Sequence, residues 1–552
     1  MAVGSLEVPY YSKFLRSYRE YNYDLLINFN RNLSNQLNLK ASLGSNIRRN
    51  NVNSTFASTN GGLSVPNIYA LSNTKSPAVA PTEIVSEVGV DGYFGTATLG
   101  YLDYLFLDVT GRQDKSSTLP ANNNSYFYYS GSLGFVFSKL IANAPWLNYG
   151  KLRANYAQVG NSADPQSLID YYAINPSFGS AGLSTPGNNN SYAALTPELV
   201  VKNNPGLKPE KTKSYEVGVE MSFLKSRLGF DVTYYNSKTT NQIVPAPVSR
   251  ATGYDGKYIN VGEVDNKGWE VMVNGTPVRT RDFSWNVTVN WTKNRSKVVS
   301  LGSGIKNFQL GSFQAGVTIN AALNEPYGTI RGEGFVYKNG QKVVGDDGFY
   351  AFSGNTNDII GNVTPNWTGG ITNSFKYKNV AVSFLIDVRK GGDVFSLDMY
   401  YGLATGLYPE TAGVNDLGNP VRDPVVNGKG GGVIFPGVLA DGTPNTQRVD
   451  ISERFGAFGY RRNPAATFVY DASYVKLRDL TITYSLPEKV IAKLKPFKGI
   501  DLSLFGRNLW VIHKNLPYAD PEEGVSSGNI QGYQVGANPM VRIMGANLKL
   551  RF

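Results

Sequence analysis

Residues 540–552 read MVRIMGANLKLRF. Counting back from Phe552, alternate positions are Leu550, Leu548, Ala546 and Met544, and between them lie Arg551, Lys549, Asn547 and Gly545. A strand throws successive side chains to opposite faces, so one face here is apolar and the other polar, with two cations. A strand facing lipid on one side and a watery lumen on the other accounts for both faces, and for an aromatic last residue on the apolar one. An amphipathic strand of a soluble sandwich has the same period, so the segments upstream must decide.

They repeat the pattern in pairs. Segments 500–510 and 473–486 are joined by PEKVIAKLKPFKG, a charged connection with helical character. In 473–486 the apolar phase slips from Val475 and Leu477 to Leu480, Ile482 and Tyr484, which predicts a β-bulge near Arg478 and Asp479. Upstream, 380–389 pairs with 367–377, and 283–293 with 262–275. In 283–293 Phe283, Trp285, Val287, Val289 and Trp291 alternate with Ser284, Asn286, Thr288, Asn290 and Thr292. Eight residues at about 3.3 Å each, tilted about 40°, separate Phe283 from Trp291 by roughly 20 Å along a membrane normal, near the two rims of an apolar band about 25 Å tall. The clearest pair is 215–223 and 228–235, joined by LKSR. Nine alternating residues suffice to cross a bilayer, which takes about 9 to 11 in a tilted strand. Further strands are predicted at 147–158, 126–139, 104–114, 93–101, 36–48 and 24–32.

Short turns alternate with mostly long loops, among them 50–92, a loop of about 55 residues before 215, and one of about 80 residues after 389. Membrane barrels have this asymmetry, with short periplasmic turns and long extracellular loops. The fold expected is an all-β transmembrane antiparallel barrel. Fifteen strands are predicted, and the last ends in the periplasm because a long outer loop precedes it. An odd count makes the first strand run inward as well. Complete bacterial barrels have an even number and an internal amino terminus, so residues 1–552 are expected to be the carboxy-terminal part of a larger barrel.

Composition agrees. Gly 59, Tyr 35 and Phe 27 against six Met in 552 residues suit strands and turns, and the absence of Cys removes disulfide frameworks and thiolate metal sites. There is no apolar run long enough for a membrane helix, and MAVGSLEVPYYSKFLRSYRE has no signal-peptide core; the chain is either cytoplasmic or the tail of a longer precursor. A formal charge of +11 raises nucleic acid as a partner. The cations are scattered over turns and polar strand faces, as at Lys225, Arg227, Arg279 and Arg281, rather than clustered, so no nucleic-acid partner is expected.

Several stretches closely resemble one family: LKPEKTKSYEVGVEMSFLKSRLGFDVTYYNSKTTNQI (207–243), NKGWEVMVNGTPV (266–278), VRKGGDVF (388–395), ASYVKLRDLTITYSLP (472–487), FGRNLW (505–510) and ADPE (519–522). They resemble, in order, the SusC-like or RagA-like TonB-dependent outer-membrane transporters of Bacteroidetes. The resemblance implies a barrel of 22 strands, with seven of them, the plug domain and the TonB box upstream of this chain. It also implies active nutrient import, of oligosaccharide or peptide, with a SusD-like lipoprotein lid, a TonB complex reached through the amino-terminal part, and no bond chemistry. Two rivals stand beside it: a passive porin-like channel, and a surface adhesion or assembly barrel.

Candidate sites follow from the faces. The lumen candidates for substrate or plug contact are Glu216, Glu220, Asp231, Asn286, Asn290, Asp387, Arg389, Lys549 and Arg551. Loop 170–192, rich in Tyr and Asn, suits sugar faces and peptide backbone alike. His513, the single histidine, leaves no dyad for hydrolysis. GKGGG at 428–432 lacks phosphate-loop spacing and reads as a flexible loop. Asp346, Asp347 and Asp358, with Asn355 and Asn357, are hard-oxygen candidates for calcium, although the usual D-x-[DN]-x-[DN]-G spacing is broken.

The carboxy-terminal aromatic, Phe552, is expected to be read by the barrel-assembly machinery, and the even face to touch lipid. In the protein expressed from its intact gene, Leu548→Arg puts a cation on the lipid face at up to about 2 to 4 kcal/mol. That variant and deletion of Phe552 should lower the amount of heat-modifiable barrel in the outer membrane, while Lys549→Ala leaves it nearly unchanged. Equal assembly of all three would overturn the assignment of faces.

Overall fold

Alternating segments with polar backbone at membrane depth must pair with one another, and in the computed structural model they do. The structure describes residues 9–141, 144–170, 172–174, 195–197, 201–302, 304–451, 457–524, 528, 530–536, 538 and 540–552. Fifteen strands form one antiparallel sheet in chain order: β1 (Ser12–Asn32), β2 (Leu37–Ser58), β3 (Thr82–Tyr101), β4 (Leu105–Ser116), β5 (Ser125–Phe135), β6 (Leu147–Asn161), β7 (Glu210–Phe223), β8 (Leu228–Thr240), β9 (Glu263–Arg279), β10 (Phe283–Ser300), β11 (Trp367–Tyr377), β12 (Val380–Lys390), β13 (Tyr474–Ser485), β14 (Gly499–Lys514) and β15 (Ile543–Arg551). By contacts the chain divides into two units. One comprises Met1–Gly134, Asn155–Ser214 and Thr239–Val261; the other comprises Phe135–Ala154, Tyr215–Lys238 and Gly262–Phe552.

In the second unit the register carries the apolar face of the closing strand across its neighbours. Leu548 is opposite Leu502, Leu502 opposite Tyr484, Tyr484 opposite Val380, and Val380 opposite Tyr377. Leu548, Leu502 and Tyr484 are all exposed. The first unit has the same two-sidedness. Leu25, Ile27 and Leu43 are more than 60% exposed on one face, while on the other Ser42 bonds Asn28 at 2.7 Å and Asn46 bonds Asp24 at 2.6 Å. Apolar groups that stay exposed beside a bonded polar face are what a lipid-facing wall around a polar lumen requires.

The strand ends differ from those expected. β1 begins at Ser12 rather than 24, β2 runs to Ser58 rather than 48, and β3 starts at Thr82 rather than 93. Nearly half of the predicted 50–92 loop is therefore strand, continued where neither face needs to be apolar. β10 and β14 also extend, to Ser300 and Lys514. β5 stops at Phe135, before a 3-10 turn at Phe137–Leu140, and β15 starts at Ile543 rather than 540. The bulge is where the phase slip put it: Arg478 has no partner in the register with β12 or with β14.

The largest buried cluster lies outside the wall. Val317, Ile319, Ile330, Val394, Phe395, Met399, Phe468, Leu516 and Tyr533 form one cluster, drawn from the connections after β10, β12 and β14. Small sheets assemble there, including Asn307–Ser312, Thr318–Ala322, Thr329–Gly332 and Asp358–Asn362. So does α1 (Leu397–Ala404), whose Ser396 cap accepts from the Met399 N–H at 3.2 Å. The turn after β13 holds α2 (Glu488–Ile491), as its composition suggested. The long connections of this unit thus fold as a body with its own interior. Phe468→Ala should cost that interior about 3–5 kcal/mol. The expected result is faster proteolysis within 391–473 while heat-modifiable mobility of the barrel persists; unchanged proteolysis would show that the cluster does not hold these connections.

Candidate functional site

The bulge decides what the lumen side of β12–β14 presents. Along β13 the polar positions are Tyr474, Lys476 and Arg478, and the extra residue puts Arg478 and Asp479 next to each other before Thr481 resumes the alternation. Asn508 on β14, opposite the irregularity, has φ 50°, a conformation that asparagine tolerates better than most residues. Its Oδ1 accepts from Arg478 Nη1 at 3.1 Å.

The segment after β14 docks on these groups. Lys476 Nζ, on a side chain 4% exposed, lies 2.7 Å from Asp520 Oδ1 and 2.5 Å from Glu522 Oε2. A buried ammonium needs such partners, because an unpaired charge away from water costs several kcal/mol. Arg478 reads Glu522 with two donors, Nη2 to Oε1 at 2.7 Å and Nη1 to Oε2 at 2.9 Å. It also bonds Asp387 on β12, Nε to Oδ2 at 3.1 Å and through Nη2. The Tyr474 hydroxyl lies 2.8 Å from Glu522 Oε1 and 3.2 Å from Asp387 Oδ2. Burial alone would raise the Glu522 carboxyl, but the bonds from Arg478 and Lys476 outweigh it and hold it down at about 2. Beside this cluster a groove of about 430 Å³ is lined by Thr372, Ser383, Leu385, Arg478, Asp479 and Arg507 among others.

Of the predicted lumen residues, Asp387 alone joins this cluster. Asp231 takes two bonds from Arg153, at 2.8 and 2.5 Å. The guanidinium lies over Gly218, where a Cβ would come within 2.7 Å of Arg153 Nε. The glycine between Glu216 and Glu220 is thus a slot for it; Glu216 is exposed and Glu220 half-buried. Asn286 accepts from Thr276 at 2.8 Å, and Asn290 is exposed. Arg389 bonds the carbonyls of Val363 at 2.9 Å and Gly391 at 3.3 Å, so it ties the connection before β11 to its own loop. Lys549 is exposed, Arg551 meets Asp501 at 3.2 Å, and the Phe552 ring sits 5.1 Å from that of Phe497.

Among the calcium candidates, Asp358 accepts from Asn355 at 2.6 Å, and Asp347 accepts from the Phe349 N–H at 3.1 Å. Asp346 is exposed. Among the described residues no three Asp, Glu or His groups come together as a metal site. Residue 171 and residues 175–192 of the Tyr/Asn-rich loop lie outside the described residues. The GKGGG stretch departs from the flexible loop expected: the Asn415 amide donates to the carbonyls of Gly430, Gly431 and Gly432 at 2.8, 3.1 and 3.2 Å. His513 contacts Asn515 at 3.0 Å.

Sequence reasoning assigned no role to Tyr474, Lys476, Arg478, Asn508, Asp520 or Glu522, although the phase slip marked the spot. It also missed an aromatic cluster on the long connections. Tyr408 and Tyr518 stack at 4.2 Å and Tyr400 and Tyr460 at 4.6 Å, with Tyr401 and Tyr518 exposed. Burial pushes the nearby Tyr533 phenol up to about 12, so it stays neutral.

A lipid-facing antiparallel wall, a polar lumen and folded long loops define an outer-membrane β-barrel protein. Residues 4–509 match the family of TonB dependent receptor-like β-barrels, and the chain belongs to that family, whose members are barrels of the bacterial outer membrane. It is 25% identical over 520 residues to TonB-dependent receptor P3 of Formosa agariphila, covering 88% of this chain and 48% of that protein. It is 22% identical to TonB-dependent receptor SusC of Bacteroides thetaiotaomicron, over 82% of this chain and 42% of SusC. The fold is shared with the RagAB peptide transporter at TM-score 0.70 and 20% identity, over 98% of this chain and 56% of that one. The chain spans about half the length of the curated relatives it matches.

Because the Glu522 carboxyl is depressed in the folded state, its contribution is fully present above its ordinary value of 4.5 and is lost as pH falls toward about 2. Hydrogen exchange of residues 515–524 should therefore be flat from pH 8 to 5, after correction for intrinsic rates, and rise below pH 4.5. Lys476→Met, which leaves the Asp520 carboxylate without its cation, should weaken docking of that segment by about 3–5 kcal/mol. Unaltered protection in the variant would show that the ion pairs do not hold the segment.

Proposed function

We propose that this protein works in active import of a nutrient, an oligosaccharide or a peptide, across the outer membrane, energised through TonB and covered outside by a SusD-like lipoprotein. The observation that carries this reading is the family match over residues 4–509. Similarity to SusC and a fold shared with RagAB, a peptide transporter, support it. The chain's own chemistry is compatible: ionic groups line the lumen at Arg153, Asp231, Arg478 and Asp479, and exposed tyrosines lie on the folded loops. Such surfaces bind polar solutes by hydrogen bonds and ring stacking, and they perform no bond chemistry in this reading.

The experiment is uptake. Cells lacking the gene should lose growth on one defined oligosaccharide or peptide source, and loss of TonB should abolish the same uptake. A SusD-like lipoprotein should purify with the tagged protein. Uptake that needs the gene but persists without TonB would replace this reading with a passive channel. Wild-type growth on every source, with surface attachment impaired, would replace it with an adhesion barrel.

A further inference from the structure

Most aromatic rings on the long connections of the second unit fill its interior, but Tyr518, the fourth residue after β14, is 50% exposed. Its exposure does not come from a loose segment. Leu516 and Ala519 are buried in the large cluster, Asp520 is paired with Lys476, and Lys514 Nζ donates to the Ala519 carbonyl at 2.5 Å. Between these fixed points the Ala519 N–H reaches the Pro517 carbonyl at 2.5 Å and closes a three-residue turn about Tyr518, whose φ is 56°. Three-residue turns with positive φ are rare and strained, and a bulky residue in the left-handed region is an outlier. Such strain persists only where the surroundings over-determine it, and it collects at binding sites.

The surroundings here are a stack. The Tyr518 ring lies on that of Tyr408, with 4.2 Å between centroids and 8° between planes. Behind Tyr408 is Gly402 of α1, where a Cβ would collide with the Tyr408 ring. Tyr408 precedes the 3-10 turn Pro409–Thr411. Arg422 braces that turn, Nε to the Thr411 carbonyl at 2.7 Å and Nη2 to the Gly406 carbonyl at 2.7 Å. The turn carries Glu410, which is exposed and whose Oε1 accepts from the Tyr518 hydroxyl at 3.0 Å. One face of the Tyr518 ring is thus covered and its hydroxyl edge is tied. The other face is open, with a carboxylate at its rim, and both contributing connections lie on the long-loop, outer side.

We propose that Tyr518 is a stacking platform for one pyranose ring, with Glu410 accepting hydroxyls from the rim of that sugar. The proposal rests on the import reading and narrows it, because it makes the nutrient an oligosaccharide rather than a peptide. A pyranose with equatorial substituents presents axial C–H bonds to one side, and their positive hydrogens suit the negative face of an aromatic ring. Its hydroxyls radiate near the plane of the sugar, toward the side where Glu410 stands, and a bond to a charged acceptor is among the stronger ones. A lysine or arginine side chain would also sit over the ring. Its charge would then be centred on the ring, separated from Glu410 by the phenol oxygen and a hydrogen bond's length rather than lying against it.

The test uses the protein expressed from its intact gene and purified in neutral detergent, with methyl β-D-glucopyranoside as the probe. Saturation-transfer NMR should favour the axial hydrogens of one sugar face over those of the other. Tyr518→Asn removes the ring yet suits a left-handed backbone, and it should weaken binding by about tenfold. Tyr518→Phe should recover most of that loss, and Glu410→Gln should weaken binding severalfold while the preferred face stays the same. Heat-modifiable mobility and unchanged hydrogen exchange over residues 515–524 check that each variant is folded with its segment docked. No transfer to the millimolar probe, transfer spread evenly over both faces, or equal binding by Tyr518→Asn would each overturn the proposal. Binding of Nα-acetyl-lysine amide that needs Tyr518, in place of the glycoside, would overturn it in favour of a basic peptide. None of these measurements involves TonB or uptake, so a failed platform leaves the import reading to its growth experiment, and a failed import reading leaves the binding result standing.

Discussion

Hydrocarbon offers no partner to a peptide N–H or carbonyl, so chain crossing a membrane as strands must satisfy its backbone in the neighbouring strand. Everything else in this protein depends on that demand. It forces one continuous sheet in chain order, and the two-residue period then assigns each side chain to lipid or lumen. Leu548 and Lys549 are adjacent in the chain, yet only Leu548 lies in the apolar row that runs through Leu502 to Tyr484. With the apolar groups of the wall committed to lipid, the usual interior of a folded protein has to be built elsewhere.

It is built in the long connections. Phe395, Phe468, Ile330 and Leu516 are fully buried, whereas most large apolar residues on the outward face of the wall, such as Leu25, Leu43, Leu504 and Leu548, are exposed. Such a body needs attachment to the strands that carry it, and the Lys476, Arg478, Asp520 and Glu522 ion pairs supply one. Burying four charged groups brings no large net gain by itself. It makes the attachment directional: the Arg478 fork accepts a carboxylate in one geometry, and Lys476 would be strongly destabilising without its partners.

The sequence by itself determined the wall. Alternation at 215–223, 283–293 and 540–552 follows from local chemistry, since each side chain's face depends only on its parity, and the phase slip at Arg478 and Asp479 announced the bulge for the same reason. Tight turns and long loops likewise showed in glycine, asparagine and proline content. Where neither face meets lipid the parity signal fades, and the true ends of β1, β2 and β3 lay beyond those it indicated.

Tertiary structure alone decided which polar residues meet. Asp387, Arg478 and Glu522 are spread over more than a hundred positions of sequence, and Arg389, two residues from Asp387, braces a loop. Polar alternation states that a group faces the lumen; it does not state which distant group faces it there. That depends on register between strands and on the path of the long connections, which are set by packing of residues such as Phe395, Phe468 and Tyr533 that no local period relates.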